Sequence, residues 1–133
     1  MKTNELRIGN IVQYKKGHLA IIEGIQNWTS ISVLGINDDY INGCYDTSNF
    51  IEVEINDILL LKLKFEVSYD GGYYREYSLY CYDFNFIVYL DSEGCKFFQK
   101  EFGNYIDIKG FHQLQNLYFA LTCGELELSS NVA

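Results

Sequence analysis

The sequence predicts an α+β protein: a small N-terminal β-barrel of Src-homology-3-like type, then an antiparallel β-meander packed by a C-terminal helix. Two observations predict it. Apolar and polar residues alternate in short runs broken by Gly and Asn/Asp turns along most of the chain. The period then changes to helical spacing after Gly110. Proline is absent and no Ser/Gly-rich linker interrupts the pattern. The division into a barrel over residues 1–56 and a second unit over 57–133 therefore rests on pattern alone.

The barrel begins with Ile11 to Tyr14, which passes through Lys15-Lys16-Gly17 into Leu19 to Ile25, a hairpin with glycine in its turn. Ser30 to Leu34 alternates, with Ile31 and Val33 on one face. Gly35 to Asn49 is rich in Asn, Asp and Gly and reads as irregular. Ile51, Val53 and Ile55 then alternate with Glu52 and Glu54, a half-buried strand with an acidic outer face. So many strands in so short a stretch suit a bent barrel better than an open sheet, because closure removes exposed edges.

Asn56-Asp57 supplies an N-cap before Ile58 to Lys64, read as a short helix. Leu61 to Phe65 also alternates as a strand would. An aromatic meander follows. Phe65 to Tyr69 turns at Asp70-Gly71-Gly72 into Tyr73 to Leu79. Phe84 to Leu90 turns at Asp91-Ser92-Glu93-Gly94 into Cys95 to Lys100, and Phe102-Gly103-Asn104 leads to Tyr105 to Ile108. In the closing helix Phe111, Leu114, Leu117, Tyr118 and Leu121 form the apolar face. His112, Gln113, Gln115 and Asn116 fill the other, and Gly124 is the expected stop.

The chain has 133 residues, with 48% hydrophobic and 17% aromatic content. That composition excludes disordered and collagen-like classes, and a core without disulfides or metal is within reach at this length. No run approaches the ~18 apolar residues of a membrane helix. The Met1-to-Arg7 start lacks the apolar stretch of a signal peptide, so a cytoplasmic location is expected. Ten basic against 18 acidic residues give a net charge of −8. Such a balance opposes nucleic-acid binding, which depends on clustered cations, and suits a basic partner. The basic residues Lys2, Arg7, Lys15 and Lys16 near the start read as a solvated edge.

Cys44, Cys81, Cys95 and Cys123 include no Cys-x-x-Cys pair, and His18 and His112 stand in no ligand spacing. They read as reduced thiols, structural or incidental. Asp38-Asp39 and Glu52/Glu54 form no calcium-loop pattern, and no phosphate-binding glycine motif occurs. No cofactor and no metal are expected. A cysteine nucleophile would need His112 or His18 as its base. His112, in the first turn of the closing helix, is expected instead to fix that turn by a hydrogen bond.

Glu5-Leu6-Arg7-Ile8-Gly9-Asn10-Ile11-Val12 resembles the opening of a group of small uncharacterised proteins from bacterial and phage mobile elements. His112-Gln113-Leu114-Gln115-Asn116-Leu117-Tyr118-Phe119-Ala120-Leu121-Thr122 looks like the closing helix of the same group. Ile58 to Glu66 is similar to their Leu-rich turn ending in Phe-Glu. That pattern carries glycine straight after the threonine and immediately before the phenylalanine, where this chain has Cys123 and Lys64. The resemblance implies an accessory gene of a phage or conjugative element and brings no catalytic residues with it.

Twelve tyrosines are the most unusual feature, and Tyr69, Tyr73, Tyr74, Tyr77, Tyr80, Tyr82 and Tyr89 crowd one stretch. Strand alternation turns about half of them outward, where tyrosine supplies rigid, amphipathic contact area. The bland alternative is cross-strand packing with no partner. Asp70, Tyr73, Tyr74, Glu76 and Tyr77 are the expected partner-binding residues. The functional expectation is a non-enzymatic, acidic protein-binding module that blocks a basic host nuclease or similar defence enzyme, an anti-CRISPR-like role. Neither direct nucleic-acid nor membrane binding is expected. Two alternatives are an assembly protein that pairs with itself through a sheet edge or the polar helix face, and a small cysteine-dependent hydrolase.

Overall fold

The alternating runs form two antiparallel sheets in the computed structural model, which describes residues 1–15, 17–36, 41–81, 84–99, 103–126 and 128. Lys16, Asp38, Asp39, Tyr82, Lys100 and Phe102, named above, lie outside the described residues, as does most of the tail. The first sheet holds β1 (Ile11–Tyr14), β2 (Leu19–Ile25), β3 (Ser30–Gly35), β4 (Gly43–Asp46) and β5 (Phe50–Ile51), in the order β4-β3-β2-β1-β5. Its two edge strands are joined by one 3-10 turn, Thr47–Asn49, capped by the Asp46 side chain, which accepts from the Ser48 N–H. Bridging opposite edges over so short a connection curls the sheet into a half-barrel. Val12, Ala20, Ile22, Ile31, Val33 and Phe50 fill its inside. Tyr14, Tyr45 and Phe50 meet there as inclined rings 5.5–5.7 Å apart.

Two local expectations need correcting. The stretch from Gly35 to Asn49 contains β4, which pairs with β3 from Ser30↔Asp46 to Val33↔Gly43. Gly43-Cys44-Tyr45-Asp46 is too short and polar to show a period. The expected strand from Ile51 to Ile55 pairs with β1 only as far as Ile51. Beyond it Val53 and Ile55 are buried while Glu52 and Glu54 are exposed. The alternation there reports burial of an extended connector, whose Val53 carbonyl accepts from the Phe111 N–H at 3.0 Å.

Helix α1 (Asp57–Lys62) starts where the Asn56 side chain accepts from the Leu59 N–H at 2.9 Å. It stops as the Phe65 N–H returns to the Leu60 carbonyl, with Lys64 at φ +75° between them. The second sheet holds β6 (Glu66–Asp70), β7 (Tyr74–Cys81), β8 (Phe84–Asp91), β9 (Gly94–Gln99) and β10 (Asn104–Ile108) in chain order. Helix α2 (Phe111–Thr122) lies on its inner face, where Tyr118 meets Phe86 edge-on at 5.2 Å. Phe65, Tyr77, Val88, Phe97, Phe111 and Leu114 belong to the same core. The helix ends in left-handed Cys123, one residue before the expected Gly124. Among the described residues, Lys64 and Cys123 are the non-glycine positions with positive φ.

The polar face of α2 is covered as well, because the first sheet packs against it. Gln115 is buried: its Oε1 accepts from the Ile11 N–H at 2.8 Å, and its Nε2 donates to the carbonyls of Gly9 (3.2 Å) and Leu126 (3.4 Å). Asn116 Oδ1 accepts from Asn10 Nδ2 (2.8 Å) and Arg7 Nε (3.1 Å), and its Nδ2 donates to the Glu5 carbonyl (3.1 Å). Arg7 also grips both carboxylate oxygens of Glu125, at 2.6 and 3.0 Å, and lies 4.4 Å over the Phe119 ring. Arg7 is thus not part of a merely solvated edge. His112 is 0% exposed, and neither ring nitrogen has a hydrogen-bond partner among the described residues. The bond expected of it is not made. Among the described residues, no helix is long and apolar enough to cross a membrane.

Candidate functional site

The outer face of the second sheet carries an aromatic strip, and strand register puts it there. Glu76 stands opposite Tyr89 and Tyr74 opposite Asp91, while Tyr77 stands opposite Val88. Side chains alternate across a sheet, so Tyr77, Val88 and Phe97 enter the core while Tyr74, Glu76, Tyr89 and Phe98 face away from it. On β6 a bulge between Val67 and Tyr69 brings Tyr69 opposite Glu76, into the outward phase. One ring from each of the five strands then joins the strip. Centroids lie 5.4 Å apart for Tyr69–Tyr74, 5.8 Å for Tyr74–Tyr89, 6.0 Å for Tyr89–Phe98 and 5.0 Å for Phe98–Tyr105. Tyr89 and Tyr105 also meet directly at 5.5 Å.

The hairpin turn fixes one end of the strip. Asp70 Oδ1 accepts from the Gly72 N–H at 3.2 Å, and Gly72 takes φ +84°. A side chain at Gly71 would bring its Cβ to 2.7 Å from the Tyr69 ring, so glycine is what lets that ring lie over the turn.

Carboxylates frame the rings. Glu76 accepts from the Tyr89 hydroxyl at 2.9 Å and from the Ser68 hydroxyl at 2.7 Å. Burial, reinforced by the Glu76 carboxylate, pushes the Tyr89 phenol up to about 12. Lys96 Nζ lies 3.3 Å from Asp91 Oδ2 and 3.4 Å from Glu93 Oε2. The Glu93 backbone N–H, with help from Lys96 and the Gly94 N–H, holds the Asp91 carboxyl below the usual range. Tyr73, Tyr74, Tyr89 and Tyr105 wall an open hollow of about 510 Å³. Asp91, Lys96 and Asp107 complete its lining.

Of the residues singled out from sequence, Tyr73 (93% exposed) and Tyr74 (41%) line this hollow. Glu76 lies beside it through Tyr89. Asp70 is exposed at the hairpin end, where it pairs with Arg75 at 3.2 Å, and does not line the hollow. Tyr77 is corrected: at 0% exposure it is a core residue, unable to meet a partner. Its neighbours in sequence suggested the surface, but its strand parity is that of Val88 and Phe97.

Sequence reasoning missed Tyr105, Phe98, Asp91, Lys96 and Asp107, which reach the site only through register. Trp28, on the turn between β2 and β3 of the other sheet, is 86% exposed and does not line the hollow. The thiols do not gather. Cys44 and Cys123 are exposed, and burial pushes the Cys95 thiol up to about 12, which makes it a poor nucleophile. Among the described residues, no three His, Cys, Asp or Glu side chains group to hold a metal. Comparison of the chain with protein-family models, curated proteins and solved structures finds no match.

Proposed function

We propose that this protein is a non-enzymatic binding module whose tyrosine face docks onto a basic protein. The observation that carries the reading is the outward strip of five rings framed by Glu76, Asp91 and Asp107. Tyrosines on a rigid sheet present large contact area at low entropic cost, and the surrounding carboxylates complement a cationic surface. A net charge of −8 extends that preference to long-range steering. The mobile-element resemblance supplies the setting, in which the partner is a nucleic-acid-handling defence enzyme of the host and binding blocks its basic substrate channel. On this reading the N-terminal curled sheet is a small Src-homology-3-like barrel. The 3-10 turn between β4 and β5, and the return of β5 to β1, support that assignment.

Affinity capture from host lysate with the tagged chain, at low and high salt, tests the proposal. A basic protein retained at low salt, released by high salt and not retained by a Tyr74→Ala/Tyr105→Ala chain is the expected result. Retention that ignores both salt and the double substitution would count against it.

A further inference from the structure

We infer that the hollow between Tyr74, Tyr89 and Tyr105 is a receptor for an arginine side chain of the basic partner. This inference rests on the tyrosine face being the binding surface and names what that surface grips.

Three features point to a cation, and to a guanidinium among cations. The first is the walls. Tyr74 is inclined by 51° to Tyr89, and Tyr89 by 76° to Tyr105, so the rings enclose a concavity instead of stacking flat. The negative faces of such rings attract cations, and a planar guanidinium stacks on a ring while its N–H groups remain free at the edge. Tyr89 is enriched for this purpose, because donating its hydroxyl proton to Glu76 sends electron density back into its ring.

The second is charge. Asp91, Asp107, Glu76 and Glu93 stand in or beside the hollow, and among the described residues the ammonium of Lys96 is the one cation in its lining. Lys96 is already engaged by Asp91 and Glu93. Asp107 is its register neighbour and makes no ion pair among the described residues, so one carboxylate in the lining is available to an incoming cation.

The third is size and access. A space of about 510 Å³ lies within the range of small-ligand pockets, and Tyr73, almost wholly exposed on the adjoining turn, is placed to cover a side chain once it has entered.

The test is a nuclear magnetic resonance titration of the intact chain with acetyl-Gly-Arg-Gly-amide. Its lysine counterpart and its uncharged citrulline counterpart serve as the other probes. Saturable shifts at the ring resonances of Tyr74, Tyr89 and Tyr105, with Tyr14 and Tyr45 unmoved, are expected for the arginine peptide. Binding should be at least about fivefold tighter than for lysine, absent for citrulline, and weakened about fivefold by Asp107→Asn. The Asp107→Asn chain keeps its shape and its strand, and its own spectrum verifies folding. Equal response to citrulline, or no saturable response, would overturn the receptor; equal affinity for lysine would overturn its assignment to guanidinium. Lysate capture that still depends on Tyr74 and Tyr105 while the arginine peptide fails would remove the hollow and leave the face. Loss of both would remove the face as well.

Discussion

Two polar regions of this molecule have opposite fates. The joint formed by Arg7, Asn10, Gln115 and Asn116 is closed between the two sheets, and almost every donor and acceptor there has a partner within the chain. The tyrosine face is open, with hydroxyls and carboxylates turned to solvent. The residues that meet in the joint come from the opening segment and from the closing helix of the chain. The joint holds the two sheets together, whereas the face spends none of its exposed rings on that task and is, on the proposed reading, the surface that binds.

Substitutions at the joint should cost the most stability. Gln115→Ala strips the Ile11 N–H and the Gly9 and Leu126 carbonyls of their partner, and should destabilise the fold by about 3–5 kcal/mol in urea unfolding. Asn116→Ala should cost about 2 kcal/mol, since its bonds are only partly buried. If either variant unfolds with the wild-type midpoint, the joint is decoration.

Next comes pH. Burial drives the His112 ring below its ordinary 6.5, only partly offset by Glu52 and Glu5. Below that pH the unfolded chain takes up a proton that the folded chain resists. Stability is therefore fully present above pH 6.5 and is lost as pH falls, with a limiting slope of about 1.4 kcal/mol per pH unit. His112→Leu should flatten that slope between about pH 7 and pH 5. An unchanged slope would place the proton uptake elsewhere.

Lys64→Gly and Cys123→Gly should each stabilise by about 0.5–1 kcal/mol, because a left-handed backbone strains any residue with a Cβ. The smallest stability effect belongs to the face: Tyr74→Ala should cost under about 1 kcal/mol, the worth of an exposed cross-strand pair.

How far the sequence discloses this architecture depends on the range of the interaction that decides each feature. Short-range patterns were legible. The Asn56 cap, the aromatic hairpins and the helical period after Gly110 lie in local alternation and turn chemistry. β4 was not legible, because its pairing with β3 is the only thing that makes Gly43–Asp46 a strand. The burial of Gln115 and His112 was not legible, because periodicity shows that a helix has two faces and cannot show that both are covered. At the site, Tyr73 and Tyr74 were found from the local crowding of tyrosines. Tyr77 was wrongly included for the same reason, since crowding carries no parity. Tyr105 and Asp107 needed the register of two further hairpins to reach Tyr89.

The most direct measurement combines unfolding and capture on one variant, Tyr74→Ala/Tyr105→Ala, beside the wild-type chain. The account expects an unfolding free energy within about 2 kcal/mol of wild type and loss of the salt-sensitive basic partner. A well-folded double variant that captures the partner as the wild type does would contradict the claim that the open tyrosine face is where this protein binds.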